Sequence, residues 1–173
     1  MDKQQITKLI SANQARAVSI SGMIFHFLAT TEETGDEYAL MEITVLPDIG
    51  PPTHRHREQE AFYVLEGEFQ FHVEEQTITG TAGTFVNIPS MLFHGWRNVG
   101  TAIGRLQCLI VPGGMEGFFL EAGHPVTDLT APPIPPTPAD LEKQIALAPK
   151  YGIEIAPPGK ESNYGFKFAS TQS

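Results

Sequence analysis

Thr53-His54-Arg55-His56-Arg57-Glu58-Gln59-Glu60 is the stretch on which the reading of this chain turns. In an extended strand successive side chains point to opposite faces, so His54 and His56 project one way while Arg55 and Arg57 face solvent. Two imidazoles held like that can grip one cation from adjacent positions. Glu58 and Glu60 share their parity, and either can add a carboxylate oxygen. Glu60 is followed by Ala61 to Glu66 and then by Gly67, where the chain turns into the next strand. Further on, Gly83 opens a second segment that bends at Pro89 and presents His94, with Asn98 four residues later. His94 begins another strand and converges on the first cluster if the two strands are neighbours.

Outward from this stretch the chain reads as short β-type runs. Ala17 to Ile20, Met23 to Ala29 and Tyr38 to Leu46 precede it, the last with Ala39, Met41, Ile43 and Val45 on one face. Glu60 to Leu65, Phe69 to Val73, Thr77 to Thr79, Thr84 to Ile88, His94 to Asn98 and Ala102 to Val111 follow. Turn signals separate them at about ten-residue intervals, the pattern of an antiparallel sandwich or barrel. The acidic stretch Thr31 to Glu37 reads as a loop. After Val111 the character changes. Gly114 to Ala122 is predicted helical, with Met115, Phe118 and Phe119 on one stripe. Pro132 to Pro138 is a stiff connector into a clearer helix, capped by Thr137 with Pro138 at its first position and Leu141, Ile145 and Ala148 on one face. Pro149 and Gly152 end it, and the polar tail beyond Pro158 is expected to be loose. The expected organisation is N-terminal strands over 1–37, a barrel core over 38–112 and a helical appendage with tail over 113–173, all in one domain.

Composition bounds the function. The 173 residues are the size of one domain, and the 41% apolar fraction is ordinary for a globular chain. Acidic residues outnumber basic ones 20 to 11, for a net charge of −9. That sign repels nucleic-acid phosphate and anionic lipid, so neither is expected as a partner. The lone Cys108 excludes an internal disulfide framework and shares parity with Leu106 and Ile110, which reads as a packed core thiol. Met1 to Gln5 lacks the basic start of a secretory signal, and nowhere are there eighteen consecutive apolar residues. A cytoplasmic protein is expected.

Three imidazoles and a carboxylate without a thiolate suit one divalent transition metal: Fe, Mn, Ni, Co, Cu or Zn. Octahedral coordination would leave two positions open, the mark of a catalytic rather than structural metal. Trp96 falls on the side of His94, and Phe62 and Val64 on that of Glu60. These three can line an apolar substrate pocket, although small-barrel interiors are filled by such residues in any case. His72 alternates with Gln70 and Glu74, which places it on a solvated face. His26 and His124 lack ligand spacing.

The first segment resembles the first cupin motif, G(X)5HXH(X)3,4E(X)6G, from His54 through Gly67 without a gap. The second resembles its companion, G(X)5PXG(X)2H(X)3N, at Gly83, Pro89, His94 and Asn98. Two positions depart from the pattern: Asp48 stands at the opening glycine and Met91 at the inner glycine of the second motif. The resemblance implies an all-β antiparallel barrel of the double-stranded β-helix (jelly-roll) type with a short C-terminal helical appendage. It implies His54, His56, Glu60 and His94 as metal ligands, and its spacing favours Glu60 over Glu58. The extension Gly113 to Phe119, the later helix and Tyr151-Gly152-Ile153-Glu154 look like bacterial single-cupin proteins grouped with quercetin 2,3-dioxygenase. That likeness implies ring-opening dioxygenation of flavonol-like or other small enolic or aromatic substrates, with Glu60 doubling as base. Redox-neutral isomerase or lyase chemistry and non-catalytic small-molecule binding are the rival readings. Homodimerisation is expected from the sheet edges such a barrel offers.

Overall fold

The computed structural model describes residues 7–157; the polar tail beyond Pro158 and the stretch Met1 to Gln5 lie outside them. The first strands in the chain are β1 (Ala17–Ile20), β2 (Met23–Ala29), β3 (Ala39–Val45) and β4 (His54–Arg55). They continue as β5 (Gln59–Glu66), β6 (Glu68–Val73), β7 (Gln76–Thr81) and β8 (Phe85–Ile88). β9 (His94–Asn98), β10 (Gly104–Val111), β11 (His124–Pro125) and β12 (Glu154–Ile155) complete the set. The helices are α1 (Thr31–Thr34), α2 (Glu116–Ala122) and α3 (Pro138–Leu147). No helix among the described residues is long and apolar enough to cross a membrane.

Two antiparallel sheets make up the jelly roll. One runs β11-β1-β2-β3-β10-β5-β8 and the other β12-β4-β9-β6-β7. Inward residues alternate with outward ones along β3 and β10, as the two-residue period of a half-buried strand requires. Met41, Ile43, Phe62 and Leu106 of the larger sheet meet Phe69, Phe71 and Trp96 of the smaller in one core. Asn98 closes a corner of this core: its Nδ2 donates to the carbonyls of Val45 and Ala102, and its Oδ1 accepts from the Gly100 N–H. It is a buried structural hub rather than a ligand.

The residues after Val111 do more than append helices. β11 pairs with β1 and β12 with β4, so this segment adds one edge strand to each sheet. An Arg55–Glu154 ion pair of 2.7 Å spans the second seam. Buried Glu116 accepts from the backbone N–H groups of Thr31 and Gly114, which ties α2 to the start of α1.

Three expectations need correcting here. Thr31–Thr34 forms a helical turn rather than a loop, because the Glu33 carboxylate accepts from the Thr30 N–H and hydroxyl and Gly35 stops the turn at φ 69°. His72 is buried, not solvated. It pairs across the sheet with Gly95, where a Cβ would sit 2.5 Å from the His72 ring, so the missing side chain lets the imidazole lie down on β9. On α3, capped by Thr137 as expected, Ile145 is 51% exposed. Ala148 is buried as expected, and Gln144 and Leu147 rather than Ile145 accompany it on the inward side.

Candidate metal centre

The four expected ligands arrive from three different places. His54 and His94 are direct cross-strand partners on β4 and β9 of the smaller sheet. Glu60 sits on β5 of the larger sheet, opposite Ile88. His56 lies between, in the link where the chain crosses from one sheet to the other. Residues 53–60 are therefore not one strand, as the parity reading had them; the bend at Arg57 and Glu58 breaks the strand. Convergence comes from the crossing itself.

One donor atom from each of His54, His56, Glu60 and His94 lies within 4.8 Å of the others. The rings of His54 and His94 are 4.5 Å apart between centroids, and those of His56 and His94 5.0 Å apart, nearly perpendicular. Backbone carbonyls orient two of them. His54 Nδ1 is 2.7 Å from the Pro52 oxygen and His94 Nδ1 is 2.8 Å from the Leu92 oxygen. A carbonyl only accepts, so each Nδ1 carries a proton, and in the neutral ring each Nε2 keeps its lone pair.

That arrangement tests whether a cation belongs there. His94 Nε2 stands 3.2 Å from Glu60 Oε2, so a lone pair would face a carboxylate unless a proton or metal lies between them. His56 Nε2 is buried with no hydrogen-bond partner among the described residues, 3.7 Å from Glu60 Oε1. A buried imidazole nitrogen with no donor to meet it, facing a carboxylate and two further imidazoles, fits a divalent cation. Burial, reinforced by the neighbouring imidazoles, lowers His54 to about 3 and keeps it neutral. Burial alone would raise Glu60, but the bond to His94 and the surrounding imidazole charge outweigh it and hold the carboxyl at about 2. His94 moves up, since the Glu60 carboxylate overcomes its desolvation. Glu58, the alternative acid, faces the other ring nitrogen of His56 at 3.4 Å and stands outside the cluster.

The cluster opens onto a cavity of about 80 Å³ lined by His54, Glu60, Phe62 and Trp96 on the strand side. Val64, grouped with these as a pocket residue, is fully buried and not among the lining residues. Met115, Phe118 and Phe119 of the α2 region complete the wall, with Phe119 stacked on Phe25 at 4.3 Å. Cys108 also lines it, with its thiol pushed well up by burial. Sequence reasoning missed the support given by Thr53 and His72, whose Oγ1 and Nε2 are 2.9 Å apart directly beside the first ligand. Nothing local to β6 signals that contact.

The two departures from the motif have a common backbone cause. Asp48 and Met91 adopt φ 61° and 65°, and Gly67 and Gly83 φ 89° and 93°. The pattern's glycines mark turns of left-handed conformation, and this chain makes two of those turns with side-chain-bearing residues.

Residues 41–112 match the family model described as a cupin domain. Among solved structures, the chain is similar to an RmlC-like cupin from Shewanella frigidimarina: 23% identity, 66% of this chain and 98% of that one, TM-score 0.57. It is similar to a predicted oxalate decarboxylase from Thermotoga maritima at 19% identity, covering 61% and 99%, TM-score 0.58. The polyketide cyclase RemF from Streptomyces resistomycificus matches at 23% identity over 61% and 80%, TM-score 0.54. At these identities the likeness is one of fold. No curated protein sequence matches the chain.

Proposed function

From the premise of a cupin-type fold carrying a three-histidine, one-glutamate cluster, we propose a metal-dependent enzyme that dioxygenates small enolic or aromatic substrates. The observation that carries this reading is the joining of that cluster to an apolar, aromatic-walled cavity. When bound, a divalent metal supplies Lewis acidity toward a substrate oxygen. His54, His56 and His94 would hold it with neutral nitrogen donors, and Glu60 would contribute the one anionic oxygen. Phe62, Trp96 and the α2 aromatics orient a ring and exclude water. Of the Glu60 oxygens, Oε1 is the less engaged and is the atom that takes the substrate's hydroxyl proton. A volume of about 80 Å³ is small beside the roughly 300–1,000 Å³ of typical ligand pockets. That size favours a one-ring substrate; a three-ring flavonol requires Met115, Phe118 and Phe119 to move.

Oxygen-electrode screening of the natively purified protein against small enols and flavonols, with elemental analysis of the same sample, tests the reading. Oxygen uptake matched to substrate loss is the expected result. Turnover that persists without oxygen would establish redox-neutral chemistry instead, and tight binding without product would establish a binding module. Replacing Glu60 with Gln is expected to lower turnover more than metal content; equal losses would leave Glu60 a ligand only.

A further inference from the structure

The inward line of α3 carries an amide where amphipathic patterning would place a hydrocarbon. Gln144 and Ala148, one turn apart, both line the cavity. The Gln144 nitrogen is 3.0 Å from the Asp140 carbonyl oxygen and 2.6 Å from Ser21 Oγ. Because a carbonyl cannot donate, nitrogen and not oxygen must face Asp140, which settles the orientation of the amide. Both N–H bonds are thereby engaged. What Gln144 has left is Oε1, an acceptor that no donor reaches among the described residues.

Ser21 makes this a held position rather than a floppy one. It sits at φ 46° in the two-residue turn between β1 and β2, followed by Gly22 at φ 83°. A non-glycine residue seldom adopts that left-handed conformation. Its hydroxyl is carried on a hairpin and the Asp140 carbonyl on the helix, so the amide is fixed from two elements. The rest of the helix-side wall is hydrocarbon or aromatic, including Met115, Phe118 and Phe119.

We propose that Gln144 is a specificity-determining residue: its Oε1 accepts a hydrogen bond from a hydroxyl on the substrate, selecting enolic rings that carry a second, donating substituent in addition to the chelating pair and remote from it on the ring. The inference rests on the cavity's reading as the site of an enolic substrate.

Kojic acid and allomaltol are matched probes. Both are chelating hydroxypyranones, and they differ only in a hydroxymethyl group where the second has methyl. Calorimetric titration of the metal-loaded full chain should show kojic acid binding about tenfold more tightly, the discrimination expected of one hydrogen bond in a desolvated pocket. Gln144→Met, close to isosteric, should abolish the preference by weakening kojic acid while leaving allomaltol unchanged or tighter. Ser21→Ala, which frees the amide, should reduce the preference without abolishing it. A preference that survives Gln144→Met, a wild type that does not discriminate, or a wild type that binds neither probe overturns the proposal. Oxygen uptake on the same samples separates the two readings. Discrimination without oxygen consumption sinks the dioxygenase assignment and leaves Gln144 its role; an active oxygenase indifferent to the hydroxymethyl group does the reverse.

Discussion

On the strand side of the cavity, His54, His94 and Glu60 are held by ladder register, with ring orientations set by the carbonyls of Pro52 and Leu92. On the helix side, Met115, Phe118, Phe119 and Gln144 come from a segment fastened by edge strands and aromatic packing, such as the 4.3 Å stack of Phe119 on Phe25. A displacement of one residue in β4 or β9 would turn a ligand to the opposite face and destroy the cluster. A similar change in α2 would only reshape a wall. The contrast teaches that, on the proposed reading, binding a cation and choosing a ligand would be separable in this molecule. Directional bonds position the histidine–glutamate cluster, and side-chain volume with the Gln144 amide shapes the opposite wall.

His94→Ala breaks the comparison most sharply. Removing one of four donors should weaken metal binding on the order of 100-fold or more, read as metal retained after dialysis, while α2 and α3 keep their packing. Phe119→Ala makes the converse cut. Losing a half-buried stacked ring should destabilise the fold by about 2 kcal/mol in denaturant titration with metal content unchanged. Parallel loss of metal would show that the two sides are not independent.

Acid should sharpen the picture by acting through the strand side's support. Burial, aided by the charge of His94, lowers His72 to about 4. The unfolded chain therefore binds more protons than the folded one between about pH 4 and 6.5. Stability from this group is complete above pH 6.5 and is lost as pH falls toward 4. Melting temperatures of the metal-free protein should drop by a few degrees over that window, and by less in His72→Gln. The smallest expected effect is at Met91, half-exposed at φ 65°, whose N–H donates to the His56 carbonyl at 2.8 Å. Met91→Gly relieves the left-handed strain but adds freedom to the unfolded chain, for a net gain of about 0.5 kcal/mol and no change in metal affinity.

The His54, His56, Glu60 and His94 cluster could be read from spacing because such residues are few, chemically distinctive and separated by recognisable turns. Parity along one strand was invoked for His54, His56 and Glu60, whereas the chain bends at Arg57 and Glu58 and the three meet across two sheets. His72 was misplaced because alternation reports which face a side chain leaves from, not whether a glycine on the neighbouring strand lets it lie flat. The α3 stripe of Leu141, Ile145 and Ala148 holds at Ala148 and departs at Ile145 for a related reason: apolar periodicity favours the isoleucine, whereas the amide of Gln144 lines the cavity.

Strand succession, the helix cap at Thr137 and the spacing of His54, His56 and Glu60 are local properties, since each depends on residues close together in the chain. Which strand faces which, how the segment after Val111 roofs the cavity and where Gln144 points depend on contacts between residues as far apart as Ser21 and Gln144. Such contacts leave no periodic trace in a single sequence, because either partner would suit many other neighbours equally well. They exist only once both sheets and the helices have packed.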